Sequence, residues 1–162
     1  MCLVVDANCF GSVFNSKSRE HARFVPVFNW LMAGHGGRLI YGGTKYKKEV
    51  ASYRSLLVEL ERKGRLLIIP DDSVNKVAAE LKRRVPHSDF DDEHIVALVV
   101  VSKCCVVCTD DKQSHRFLRR KNFYPAGMKP PKIYQSPKHA KLCCPNHVVE
   151  ICREKTTFRK NK

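Results

Sequence analysis

The sequence lacks any apolar run that reaches the roughly 18 residues a membrane-spanning helix needs. Its N-terminus lacks a basic leading segment and a cleavage site, and its first apolar run already ends at Asp6, which argues against a secretory signal. It contains no internal repeat and no low-complexity block. With 43% hydrophobic residues among 162, we expect one domain with a substantial core and no membrane association.

Acidic residues are scarce, because 16 Asp and Glu face 30 Lys and Arg, which gives a formal net charge of +14. Such a surplus favours polyanionic partners, of which nucleic acid is the commonest. The alternative is a basic protein without a specific partner, but clustering of the basic residues favours nucleic acid. The clusters are Lys45, Lys47 and Lys48; Lys82, Arg83 and Arg84; and Arg116, Arg119, Arg120 and Lys121.

Eight cysteines without an export signal indicate a reducing compartment, so we expect a cytoplasmic protein with free thiols. Four residues near the C-terminus have side chains of the kind that bind zinc: Cys143, Cys144, His147 and Cys152. The favoured interpretation is that these cysteines pack as small hydrophobic side chains.

Short apolar segments alternate with helix-like segments, which is typical of a parallel sheet with helices on both faces. We expect strands at 2–5, 38–43, 65–70, 104–109 and 132–135. We expect helices at 19–33, 44–64, 71–85, 91–103 and 110–121. The predicted fold class is therefore α/β, with a central parallel sheet of about five strands.

Several details of these elements are predicted from local chemistry. Pro26 should kink or split its helix, and Thr44 can cap the start of the next one. Asp71–Asp72 suit an N-cap in the same way. The segment HIVALVVV is rich in β-branched residues and is compatible with a strand, but we favour a helix because Asp92 and Glu93 suit its first turn.

Acidic side chains from distant parts of the chain are predicted to meet at one edge of the sheet. Asp6 follows the first strand, and Asp110 and Asp111 follow the fourth. Glu49 lies early in the helix that leaves the second strand, and Asp92 opens the helix that precedes the fourth. Because parallel strands share one carboxyl-end edge, and a crevice opens there at a switch point, we expect these acids to converge.

Crowded carboxylates repel one another, and hard cations such as Mg²⁺ or Mn²⁺ remove that cost. Two such ions about 4 Å apart activate a water and stabilise the leaving oxygen of a phosphodiester. We expect Asn8 and Thr109 to support the site by hydrogen bonds and His94 to be structural or peripheral. Any single acid is more often a cap or a solvated residue, so the prediction rests on the combination.

Four motifs stand in the same order as these acids. VVDANCF is a strand followed by D-x-N, and KKEV places Glu49 on a helix after the second strand. DDEHIVALVV selects Asp92, and the T-x-D of VCTDDKQ selects Asp111 with Thr109 beside it. Together these motifs resemble those of the PIN-domain ribonucleases over roughly residues 1–135. Asp91 beside Asp92, and Asp110 beside Asp111, leave the exact ligand open in each pair.

The resemblance implies an α/β/α sandwich with sheet order 3-2-1-4-5, and Mg²⁺- or Mn²⁺-dependent hydrolysis, usually of single-stranded RNA. It implies a nuclease domain at 1–135, followed by a basic, cysteine-containing extension at 136–162 packed on or beside it.

Many small members are toxins restrained by an antitoxin, so an antitoxin is an expected partner, and a homodimer is a further option. The implied catalytic and metal-binding residues are Asp6, Glu49, Asp92 and Asp111, with Asp110 as an additional metal ligand. Sequence-independent contacts to the RNA backbone are assigned to Lys45, Lys47, Lys48, Arg116, Arg119 and Arg120.

Two other functions stay open at the level of sequence. The same basic chain is compatible with a nucleic-acid-binding module without chemistry, which predicts salt-sensitive binding without turnover. Asp6 after a strand also suits an aspartyl nucleophile in phosphoryl transfer. Such a site requires a second acid two residues later, where this chain has Asn8, and this makes the phosphotransferase the weakest of the three hypotheses.

Overall fold

Five short apolar segments form one all-parallel sheet in the computed structural model, which describes residues 2–33, 36–86 and 88–147. The strands are β1 (Cys2–Val5), β2 (Arg38–Gly42), β3 (Leu66–Ile69), β4 (Val106–Cys108) and β5 (Lys132–Tyr134). Their order is β3-β2-β1-β4-β5, which confirms the predicted fold class and sheet order. β1 is the central strand, and Val5 at its end is in register with Cys108 at the end of β4.

Seven α-helices flank the sheet within the described part of the chain. They are α1 (Phe10–Phe14), α2 (His21–Met32), α3 (Thr44–Glu49), α4 (Arg54–Arg62), α5 (Asp71–Arg84), α6 (Glu93–Ser102) and α7 (Lys112–Leu118). Short 3₁₀ turns occur at Ala7–Cys9, Ala51–Tyr53, Lys121–Phe123, Pro137–Leu142 and Pro145–His147. No helix among residues 2–33, 36–86 and 88–147 is long and apolar enough to cross a membrane.

The core is built around β1 and α6. Every residue of β1 is fully buried, and α6 buries residues on all sides rather than on a single stripe. A helix that is apolar all round is a buried helix, which explains why its sequence resembles a strand. The helical assignment of this segment is confirmed.

Pro26 lies inside α2 without splitting it, so of the two predicted effects, a kink or a split, the split is wrong. Phe24, Val27 and Leu31 on the same helix are buried in the core. Packing of this apolar face holds the helix together although Pro26 removes one backbone hydrogen bond.

The long helix predicted at 44–64 is interrupted by the Ala51–Tyr53 turn, where Val50 is fully buried. Thr44 does not cap α3, because its hydroxyl instead accepts a hydrogen bond from Asn75 Nδ2 at 2.8 Å. Asp71 likewise makes no capping bond to α5. Its carboxylate accepts from Gly43 N at 2.9 Å and from Lys47 Nζ at 2.8 Å. These polar side chains tie α3 to α5 instead of ending a helix.

The described part of the C-terminal extension follows β5 and lies on the domain. The turn Pro137–Leu142 contacts α2 and β5, and Leu142 and Cys143 pack against the core. Residues 148–162, including Cys152 of the zinc alternative, lie outside the described residues.

Free thiols are found at Cys9, Cys104, Cys105, Cys108, Cys143 and Cys144, whereas Cys2 is disulfide-bonded, so the expectation of free thiols is wrong at that position.

Gly43 is predicted to be indispensable for the turn between β2 and α3. Its φ is +82°, and a Cβ built on it would lie 2.6 Å from Cγ1 of Val74 on α5. We expect Gly43→Ala to lower the free energy of unfolding by about 1–2 kcal/mol for the left-handed backbone. Overpacking against Val74 should add roughly 1–3 kcal/mol, measured by urea denaturation.

Gly127 supplies the matched control, because its φ is +83° and no atom lies within 4 Å of an added Cβ. Gly127→Ala should cost only the backbone contribution. Equal losses for the two variants would show that contact with Val74 does not matter.

Candidate active site

Asp6 lies at the carboxyl end of the central strand, where the sheet order reverses between β2 and β4. Its backbone N–H donates to the Cys108 carbonyl at 2.9 Å, which extends the β1–β4 pairing by one residue. Its side chain is buried, and the Thr109 hydroxyl donates to Oδ2 at 2.7 Å. Burial raises the pKa of Asp6, while the hydrogen bonds from Thr109 and the Asn8 backbone lower it. This carboxylate is held at a topological switch point, the usual place for a site in such a sheet.

Thr109 connects two of the predicted site residues. Besides donating to Asp6, its hydroxyl oxygen accepts a hydrogen bond from the Asp111 backbone N–H at 3.1 Å. Asp111 is the N-cap of α7, and its Oδ1 accepts from Gln113 N at 2.7 Å. Asn8 is exposed, and it reaches Asp6 through its backbone N–H.

Asp92 completes a group of three interacting carboxylates. It lies at the N-terminal boundary of α6, and its pKa is raised from 3.8 to about 7. Burial is the main cause, followed by the negative charges of Asp6, Asp91 and Asp111, while Lys45 opposes the shift. Asp6 and Asp111 therefore lie close enough to Asp92 to disfavour its ionisation, and these three residues are hereafter called the acidic trio.

Glu49 joins this region through His94. The Glu49 Oε2 atom lies 2.9 Å from His94 Nε2, and the histidine side chain is only 3% exposed. Burial lowers the pKa of His94, and Glu49 opposes that shift. The hydrogen bond assigns the ring proton to Nε2, and the buried Nδ1 has no hydrogen-bond partner among the described residues. His94 is thus a buried side chain that holds Glu49, and its structural or peripheral role stays a prediction.

The carboxylate of Asp110 and the backbone carbonyl of Asp91 bind basic side chains. The Asp110 carboxylate forms a two-point ion pair with Arg23 of α2, at 2.7 and 3.0 Å. Asp91 is exposed, and its backbone carbonyl accepts a hydrogen bond from Lys45. Within 2–33, 36–86 and 88–147, no three His, Cys, Asp or Glu side chains are arranged to hold one metal ion. The acidic trio is thus an electrostatic group, not a preformed metal cage.

Half of the basic residues assigned to RNA binding are paired with acids. Lys45 lies 3.1 Å from Glu93, Lys47 lies 2.8 Å from Asp71, and Arg116 lies 2.5 Å from Asp89. Exposed positions are occupied by Lys48, Arg119 and Arg120.

Glu93 is a member of the site region that sequence reasoning missed. Its carboxylate is 9% exposed and lies 3.1 Å from Lys45 Nζ and 3.7 Å from Lys82 Nζ. Its place directly after Asp92 in an acidic run was the available signal. Only the fold shows that α3 and α5 both send a lysine to it.

Comparisons of the chain with protein-family models, with curated proteins and with solved structures return no match.

Asp92 should make stability fall as the pH rises. Its pKa in the folded protein is about 7 against an ordinary value of 3.8, so between these values the folded state binds more protons than the unfolded state. The free energy of unfolding should decrease from pH 4 to pH 7, and Asp92→Asn should remove that part of the decrease. Urea denaturation across this range, in EDTA, measures the effect.

Glu61→Gln is the matched control, since Glu61 is an exposed acid near the end of α4, a helix that packs on β3. It should leave the slope with pH unchanged. An Asp92→Asn protein with the wild-type slope would contradict the raised pKa of Asp92.

Proposed function

We propose that the protein is a metal-dependent endoribonuclease that hydrolyses phosphodiester bonds of single-stranded RNA. One observation carries the proposal: Asp6, Asp92 and Asp111 lie together at one edge of the sheet, where burial and then the charges of Asp6, Asp91 and Asp111 raise the pKa of Asp92 to about 7. Carboxylates grouped in this way require protons or cations to balance their charge. The fold and the four motifs support the same class of activity.

The chemistry of the donor set suits a hard divalent cation, although its side chains would have to move to bind one ion together. Carboxylate oxygens are the ligands that Mg²⁺ and Mn²⁺ prefer, and the acidic trio supplies three such groups. Asp6, Asp92 and Asp111 would hold the metal, and Glu49 is the fourth candidate. Asp110 is a weaker candidate because Arg23 binds its carboxylate. When bound, the metal lowers the pKa of a water and stabilises negative charge on the phosphate.

The remaining site residues orient the carboxylates and supply positive charge beside them. Thr109 fixes the orientation of the Asp6 carboxylate, and burial around Asp6 excludes bulk water. His94 holds Glu49 by its Nε2–H. Lys45 provides a positive charge beside Asp92, where a phosphate group of the substrate would approach.

The resemblance extends the proposal to a cytoplasmic toxin restrained by an antitoxin. A dimer of the chain is a further form in which the enzyme would act.

A non-catalytic nucleic-acid-binding module is the second candidate. It is favoured by the lack of a three-ligand metal group in the described part of the chain, together with the hydrogen bonds that already engage Glu49 and Asp111. This candidate predicts RNA binding that is insensitive to Mn²⁺ and unaccompanied by cleavage.

Asp6→Asn should abolish cleavage of a single-stranded RNA in the presence of Mg²⁺ or Mn²⁺. Replacing a residue behind a metal ligand typically costs 10–100-fold, so loss of a ligand should cost about 100-fold or more. We expect calorimetric Mn²⁺ binding to weaken in parallel, because the amide removes one negative charge from the acidic trio.

Glu61→Gln should retain wild-type cleavage and Mn²⁺ affinity. Full activity in Asp6→Asn would refute the mechanism. RNA binding by the wild-type protein with neither cleavage nor Mn²⁺ binding would establish the second candidate instead.

A further inference from the structure

Two clusters of basic residues that are separate in the sequence meet on the surface of the domain. The last turn of α5 carries Arg83 and Arg84, and the segment after α7 carries Arg119, Arg120 and Lys121, all of them exposed. Arg84 Nη2 donates to the Asn122 carbonyl at 2.8 Å, which fastens the two segments together. We name these five residues the α5–α7 ridge.

A groove runs along this ridge. It has a volume of about 440 Å³ and is lined by Val77, Glu80, Leu81, Arg84, Val100, Asn122, Phe123, Tyr124 and Pro125. Its walls are therefore largely apolar and partly aromatic, while a guanidinium, a carboxylate and an asparagine lie on the same lining. Apolar walls with a few polar groups are the usual composition of a small-ligand site.

The helix that carries Arg83 and Arg84 also carries a lysine that reaches the site region. Lys82, the neighbour of Arg83 on α5, lies 3.7 Å from Glu93, which directly follows Asp92. A polyanion whose phosphate lay at the trio would therefore meet Lys45 and Lys82, the two lysines beside Glu93. By contrast, Lys47 and Arg116, which the sequence assigned to backbone binding, are already paired with Asp71 and Asp89.

We propose that the α5–α7 ridge is a track for single-stranded RNA that binds the phosphate backbone and seats one base in the adjacent groove. The guanidinium groups contact phosphates, and the groove accepts the flat apolar face of a base. Glu80 and Asn122 offer hydrogen-bonding groups to the polar edge of that base. The choice of RNA rests on the proposed function, but the track itself requires no catalysis.

The test measures binding of a fluorescent oligouridylate of about 12 nucleotides in EDTA, so that cleavage plays no part. The ridge variant is Arg83→Gln, Arg84→Gln, Lys121→Gln. Each phosphate contact to a single strand contributes about 0.7 to the slope of log K against log salt, so this slope should become shallower by about 2. The affinity should fall by between about 10- and 100-fold at 0.1 M salt.

The matched control, Arg54→Gln, Arg62→Gln, Lys63→Gln, removes the same charge from α4 and the residue that follows it. It should lower the affinity less than threefold. Equal losses in the two triple variants, or no loss in the ridge variant, would overturn the track. Competition by polyphosphate as effective as unlabelled RNA of equal charge would overturn the assignment to nucleic acid.

The groove is tested without a change of charge by Val77→Phe, which fills it from α5. The affinity should fall by about fivefold or more if a stacked base is displaced, with the urea midpoint showing that the variant is folded. Unchanged affinity in a folded Val77→Phe protein would overturn the seating of a base. A protein that binds in this way but fails to cleave RNA would refute the proposed nuclease and leave the track in place.

Discussion

The hydrogen bond between Thr109 and Asp6 is the constraint on which the site depends. It joins the residues that directly follow β1 and β4, the pair of neighbouring strands where the sheet order reverses. Fully buried strands fix both backbones, so the carboxylate has little freedom to move away from the site. The same hydroxyl accepts from the Asp111 backbone and thereby sets where α7 begins. A single buried side chain thus couples the sheet to the acidic groups around its edge.

That constraint has an electrostatic consequence. A carboxylate in a buried position is already difficult to ionise, and Asp92 and Asp111 add negative charge beside it. Hydrogen bonds from Thr109 and Asn8 lower the pKa of Asp6, and the charge of Lys45 lowers the pKa of Asp92. The pKa of Asp92 nevertheless stays near 7. Burial and this repulsion together are the physical basis for proposing a cation at the site.

Sequence reasoning predicted the features that depend on backbone periodicity. The apolar segment that stops at Asp6 predicted the central strand, and the acids before Ile95 correctly favoured a helix for α6 although all its faces are apolar. It failed where a polar side chain had a choice of partners. Thr44 was expected to cap its own helix, but it bonds to Asn75, which is 31 residues away. Such choices depend on how helices pack, and a local window of sequence does not contain that information.

The pairing of Glu49 with His94 was not predicted from the sequence, for the same reason. Each residue was weighed separately, and an isolated buried histidine is most simply a structural residue. Their hydrogen bond exists because α3 and α6 pack against each other, which no periodicity in either helix indicates.

The distribution of basic residues divides the surface into two regions with different roles. Near the acidic trio, Lys45 and Lys82 both pair with the Glu93 carboxylate. Their positive charge is therefore largely neutralised by that buried acid. On the α5–α7 ridge, Arg84 is held by a neutral carbonyl and keeps its full charge for an outside partner. A polyanion that approaches the trio alone would meet repulsion from the acids. For the proposed RNA substrate, attraction would come from the α5–α7 ridge, whose five basic residues are exposed.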